Sequence, residues 1–257
     1  MTDQSATDQP TELVHLAVTD SIATITLDSP HNRNALSRQL VTELLERLRT
    51  AAADDDVRVV LLTSADPVFC SGADLSEASA ESLAEGPRAM VELQRRIVTL
   101  DKPVVTRLAG PVRAGGIGIV AASDICIASE DATFALTEVR LGLAAAAISL
   151  TVHHRMHPRA AALTTLGGEV FGGAAAASYG LVTEAVPADR LDARVAEVCA
   201  SLASGAPQGL REAKRILNAD LVARIEAYGE EMAALSARLF ASDEARDAML
   251  AFLSRKK

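Results

Sequence analysis

The chain reads as an α/β fold with a helical C-terminal section, and two patterns carry that reading. From residue 22 to about 135, short β-branched runs alternate with amphipathic helical stripes, the signature of repeated ββα or βαβ units. From about residue 148 onward the periodic segments have helical spacing. The 257 residues are 49% hydrophobic and 23% charged, so the chain can bury a large core and is not disordered as a whole.

The elements follow in order. Residues 1–11 are polar and predict a disordered tail. Val14–Val18 and Ile22–Leu27 alternate in hydropathy around Asp20-Ser21, which predicts a β-hairpin. After the polar loop Ser29–Asn34, the residues Leu36, Leu40, Val41, Leu44, Leu45 and Leu48 form one helical stripe. Val57–Leu62 reads as a buried strand. A small-residue loop, Pro67–Leu75, follows it, and residues 76–87 predict a mobile acidic segment. A helix through Met90, Leu93, Ile97 and Leu100 leads to a strand at Pro103–Leu108. Gly115-Gly116-Ile117-Gly118 then opens a short helix to Ala122, before a strand at Ile125–Ala128. Helices are expected over 148–157, 159–166, 191–203, 208–217, 221–240 and 243–254, the last with Ser242-Asp243-Glu244 as cap and acidic first turn. A break near residue 200 divides a body over 12–200 from a helical region over 201–257.

Composition excludes several function classes. The net charge is −9, and the only basic run is the terminal Arg255-Lys256-Lys257, so a phosphate backbone has no patch to bind. Aromatic residues are 3% of the chain, with no Trp, which removes the stacking platforms of single-strand binders. Cys70, Cys126 and Cys199 are too far apart, and odd in number, for a disulfide framework or a zinc site. No signal-peptide pattern or membrane-length apolar run is present, so a cytoplasmic location is expected. His153 and His157 share a helix face, but no third ligand accompanies them and no metal is expected.

Two glycine loops, Ser71-Gly72-Ala73-Asp74 and Ala114-Gly115-Gly116, each follow a buried strand. Two N–H groups converging from such loops would make an oxyanion hole, while the alternative is that the glycines serve chain geometry only. Gly116-x-Gly118-x-x-Ala121, with Glu138 twenty residues beyond Gly118, also fits a dinucleotide fingerprint. Its context disagrees, because Pro111-Val112-Arg113 separates the strand from the glycine turn.

Asn34-Ala35-Leu36, Phe69–Leu75, Gly110 through Gly115-Gly116 to Ile125, Phe134–Gly142, Tyr179–Val182 and Phe240–Glu244 together resemble the enoyl-CoA hydratase/isomerase (crotonase) family, in order over residues 12–255. The resemblance implies an α/β crotonase-like fold, with repeated ββα units forming two roughly perpendicular sheets. It also implies a helical C-terminal trimerisation region and a homotrimer or a hexamer built as a dimer of trimers. The implied partner is an acyl-CoA thioester, with coenzyme A as part of the substrate and no other cofactor. By position, Ala73 and Gly115 would hold the thioester oxygen, and Glu138 would be the general acid/base. Arg33, Ala35 and Ser71 would line the coenzyme A path beside Ala73. Arg33 would be a phosphate partner and Lys256 or Lys257 of a neighbouring subunit another, with a solvated surface charge as the alternative for either, and Leu75 would line the substrate pocket.

The sequence departs from the family where a second glutamate belongs, since Gly118 stands there. Three consequences are open. One carboxylate shuttles a proton, as in an isomerase; hydration persists with Glu77, Glu81 or a bound anion in the vacated space; or the protein binds acyl-CoA without turnover. Arg113, two residues before Gly115, is a candidate partner for an acidic acyl end, as in a branched or methylglutaconyl-type substrate, with a surface ion pair as the alternative. Ala144–Ala147 replaces the family's usual Pro and Gly in the acyl wall. The expected activity is addition of water to a 2-enoyl-CoA.

Overall fold

The computed structural model describes residues 11–77 and 80–254. The chain begins with the hairpin β1 (Val14–Thr19) and β2 (Ile22–Leu27), paired in antiparallel register from Thr19 opposite Ile22 to Val14 opposite Leu27. Asp20 and Ser21 both take positive φ, the conformation of a two-residue hairpin turn whose twist matches the strands. Helix α1 (Arg38–Ala53) starts two residues later than the stripe suggested, because the Ser37 hydroxyl caps it by accepting the Leu40 N–H at 3.2 Å. Leu40, Val41, Leu44, Leu48 and Ala51 are its buried face.

Strand β3 (Val59–Ser64) leads to α2 (Ala80–Thr99) and then β4 (Val104–Leu108). The segment 76–87 differs from expectation: the helix already begins at Ala80 and carries Pro87 inside it. A proline there gives up one backbone hydrogen bond, which hides the helix from a propensity reading. After β5 (Val112–Arg113) come α3 (Gly115–Ala122), β6 (Ile125–Ser129) and β7 (Thr133–Ala135). Helices α4 (Ala146–Arg155) and α5 (Pro158–Gly167) precede β8 (Phe171–Gly172), α6 (Gly173–Ser178) and β9 (Glu184–Val186). Helices α7 (Leu191–Ala203), α8 (Pro207–Leu217), α9 (Ala219–Phe240) and α10 (Asp243–Ser254) complete the chain.

The main sheet has the order β1-β2-β3-β4-β6-β9, parallel throughout except for the hairpin. A second sheet has the order β5-β7-β8. Strand alternation divides the main sheet's two faces. Val60, Leu62, Val104 and Leu108 join the large core under α1, α2 and α3, while Val59, Val105 and Ile127 pack on Leu191, Val195 and Cys199 of α7.

The C-terminal helices are stitched into this body. Helix α9 packs on α2 and α4, and its Leu221 and Ile225 belong to the main core. Lys214, with 6% of its side chain exposed, reaches Asp124 at 2.7 Å and donates to the Ile97 and Lys102 carbonyls. Asn218 adds bonds to Asp124 and Val98 and accepts from Arg155. The boundary near residue 200 therefore separates no packing unit.

Candidate active site

The two glycine loops meet. Arg113 N–H donates to the Cys70 carbonyl at 2.9 Å, and Phe69 N–H donates to Pro111. Gly72 has φ +96°, and a Cβ on it would lie 3.1 Å from the Ala114 Cβ, so the loops touch there. The buried Cys70 fills the crevice behind the contact. Its sulfur accepts the Gly72 N–H at 3.4 Å, and its Cβ would stand 2.6 Å from a Cβ on Gly116. Burial pushes this thiol up to about 12, so it is an uncharged packing group.

One residue beyond the contact on each loop stand Ala73 and Gly115, and both line one cavity of about 730 Å³. Gly115 is the first residue of α3, where backbone N–H groups have no helical acceptor. Among the described residues neither the Ala73 nor the Gly115 N–H has an acceptor. Ala114, which aims Gly115, has φ +46° and ψ −119°, a strained conformation for a residue with a Cβ.

The loop over 29–37 forms the next wall. Arg33 and Asn34 both take left-handed φ. Asn34 holds the turn from inside, accepting the Ser29 N–H at 2.7 Å and donating to the Val68 carbonyl at 2.9 Å. Ser71 ties on by donating to the Asn32 carbonyl, and Asn32 donates to Asp74 at 2.8 Å. Arg33, Ala35, Ser71 and Leu75 all line the cavity. The exposed Arg33 guanidinium has no ion-pair partner among the described residues.

Glu138 opens a 3-10 turn over Glu138–Leu141 that closes with Gly142 at φ +68°. It lines the cavity, and its Oε2 is buried without a hydrogen-bond partner among the described residues. Desolvation raises its pKa from 4.5 to about 7, opposed only by its own backbone N–H. No ion pair to Arg140 forms, and Arg140 is exposed.

Two expected pocket residues are placed elsewhere. Arg113 does not line the cavity. Its guanidinium turns back along β5 and donates to the Val112 and Thr133 carbonyls and the Thr133 hydroxyl, at 2.7–3.0 Å. A partly buried guanidinium needs such acceptors, and strand β7 supplies them. Gly118 is also absent from the lining. A Cβ there would lie 2.5 Å from Ile148 Cγ2 and 3.3 Å from Met90 Cε, so apolar packing already fills the space beside it. No anion and no swinging carboxylate has room there. The same crowding at Gly116 and Gly118 leaves no backbone face for a pyrophosphate, against the dinucleotide fingerprint. Glu77 lines the cavity, where it accepts the Arg38 N–H. The Glu81 side chain, Lys256 and Lys257 lie outside the described residues.

Several lining residues escaped the sequence reading. Val41 and Leu45 of α1, Met90 of α2, Ser236 and Phe240 of α9, and Met249 of α10 complete the apolar walls. The C-terminal helices were read as an assembly element, and nothing local marks Ser236 or Met249 as site residues. Only the fold-back of α9 and α10 brings them in.

Unpaired N–H groups from two loops, facing one cavity with a single buried carboxylic acid, define a site that suits an enolisable carbonyl compound. The comparisons give that class a family. A sequence model of the enoyl-CoA hydratase/isomerase family matches residues 17–257, and the chain belongs to that family. The crystal structure of an enoyl-CoA hydratase from Mycobacterium avium superposes with a TM-score of 0.89 at 43% identity, covering 95% of this chain and 96% of that one. The fold is the crotonase fold. Hydroxycinnamoyl-CoA hydratase-lyase of Pseudomonas fluorescens is 33% identical over 215 residues, 78% of this chain and 76% of its own length. Enoyl-CoA hydratase domain-containing protein 3 of Danio rerio is 29% identical over 92% of this chain and 83% of its own length.

Proposed function

We propose that this chain hydrates 2-enoyl-CoA thioesters with neutral, mainly apolar acyl groups, using one carboxylate. The observation that carries the reading is the buried, unpartnered Glu138 in the same cavity as the free N–H groups of Ala73 and Gly115. The thioester oxygen sits between those two N–H groups. Ionised Glu138 takes a proton from a water as its oxygen bonds to C3 of the acyl chain. The C2–C3 π electrons move toward the thioester, and the charge collects on the oxygen held by Ala73 and Gly115. The proton on Glu138 then passes to C2, the enolate collapses, and a 3-hydroxyacyl-CoA results. Dipoles fixed in place before the charge develops favour the transition state over the ground state.

Arg33, exposed and without an ion pair among the described residues, suits a phosphate of coenzyme A, and Ala35 and Ser71 line the path beside it. No further cofactor is required by this chemistry. With its guanidinium engaged by Thr133, Arg113 is not at the acyl end to meet a methylglutaconyl-type carboxylate. Leu163, Leu166 and Val170 are 60%, 76% and 60% exposed, and Val139 packs against Gly168 beside them. This apolar surface supports assembly as a homotrimer, or a hexamer of two trimers. Three unpaired cysteines suit a reducing, cytoplasmic setting.

The test uses crotonyl-CoA, 3-methylglutaconyl-CoA and a 3-enoyl-CoA, followed by absorbance of the conjugated thioester. Loss of the crotonyl-CoA signal, abolished by Glu138→Gln, is expected. Turnover of the 3-enoyl-CoA alone would mark an isomerase, and binding without turnover of any of the three would mark a carrier. Either result overturns the proposal.

A further inference from the structure

Ser236 lies on α9 and lines the cavity, with only 5% of its surface exposed. Its Oγ accepts the Ala147 N–H at 3.1 Å. That contact replaces a missing cap, because Ala145 at the N-terminus of α4 has no side chain able to bond. The cap uses a lone pair of Ser236 and leaves its proton unspent. Several serines on or just after a helix turn that proton back onto it, as Ser242 does to Leu239 and Ser254 to Ala251. Ser236 does not, and among the described residues its O–H has no acceptor.

The walls around it are apolar. Ala144–Ala147, Ile148, Phe240 and Met249 share the cavity with it. A water or hydroxyl held among such walls needs two or more polar partners, and leaving one unpaired is costly. Glu138 is one partner. Gly118 offers none, since Ile148 fills the space beside it. We propose that Ser236 donates its hydroxyl proton to the oxygen on C3, first in the attacking water and then in the product hydroxyl. This rests on the hydratase reading above and assigns it a recognition residue delivered by the C-terminal helix.

The test is calorimetric binding of 3-hydroxybutyryl-CoA and butyryl-CoA, which differ by that one hydroxyl. Wild-type protein is expected to hold the hydroxyacyl ester about fivefold more tightly, the worth of one hydrogen bond. Ser236→Ala is expected to cut the preference to what Glu138 alone supplies, with the variant's own butyryl-CoA affinity as the reference. A wild type without the preference overturns the inference whatever the variant's stability, and so does a folded variant that keeps it. Crotonyl-CoA hydration intact beside either result means that only this inference fails. A wild type that binds neither ester overturns the hydratase reading together with it.

Discussion

Glu138→Gln is expected to make the protein inactive and, at alkaline pH, more stable. Burial raises the folded-state pKa from 4.5 to about 7, while the unfolded chain keeps the ordinary value. Below pH 4.5 both states hold the proton and the site costs nothing. As pH rises toward 7, the unfolded state ionises and the folded state resists, so stability falls. Above 7 the loss is complete, at about 3 kcal/mol for about 1.4 kcal/mol per tenfold difference in proton affinity. Between pH 5 and pH 8 the change is about 2–3 kcal/mol by the same linkage. For a chain of this size that is about 5–10 °C in melting temperature. Glutamine does not titrate, and any penalty from its amide is the same at both pH values. Melts of wild type and variant at pH 5 and pH 8 should therefore show the variant's relative melting temperature rising by that amount. A gap independent of pH would refute the buried, unpaired carboxyl and the mechanism built on it. Wild-type kcat/KM should rise through about pH 7 as the base form appears.

Arg33→Gln should raise KM for coenzyme A thioesters about fivefold, with pantetheine thioesters unaffected, since an exposed ion pair is worth at most about 1 kcal/mol. Gly118→Ala puts a Cβ 2.5 Å from Ile148 Cγ2, so overpacking should cost about 1–3 kcal/mol in denaturant melts. In an Ile148→Ala background the same substitution should cost less, read as the coupling in a double-mutant cycle. Lys214→Met leaves Asp124 without its cation and should cost about 3–5 kcal/mol, read in the same melts. Arg113→Leu should lower kcat/KM by the same factor on acidic and neutral acyl-CoAs. A selective loss on the acidic one would return Arg113 to the pocket.

What the sequence revealed depended on the range of the signal. The hairpin was legible because Asp20-Ser21 sits between two alternating runs, α7 because its apolar stripe is local and α10 because its Ser242 cap is. Strands β5, β8 and β9 were not, because two or three residues carry no measurable period. The N-terminal part of α2 was hidden by Pro87, whose helix is held by packing rather than propensity. Ala73, Gly115 and Glu138 could be placed because motif and resemblance fix them in line. The direction of a long side chain is another matter. Arg113 was placed by its neighbour Gly115, yet Thr133, twenty residues away, decides where its guanidinium points. Gly118 reads as a vacancy in one dimension and is a filled contact in three.

Two of the places where the chain resists local rules, Glu138 and Ala114, stand at the proposed chemistry. Only Arg58 Nε and Glu138 Oε2 are buried side-chain polar atoms without partners among the described residues. Ala114, one of five non-glycine residues at positive φ there, stands next to Gly115. A partner for Glu138 would stabilise the fold and fix the carboxylate in one protonation state, which would end its use as a proton carrier near neutral pH. An unstrained residue at 114 would remove about 1–3 kcal/mol of cost and free the Gly115 N–H to drift from its aim. The remote network of Lys214, Asp124 and Asn218 has the opposite character, with each group paired. It fastens α8 and α9 to the body, and through α9 it holds Ser236 and Phe240 at the cavity. The C-terminal helices therefore supply Ser236, Phe240 and Met249 to the cavity of their own chain.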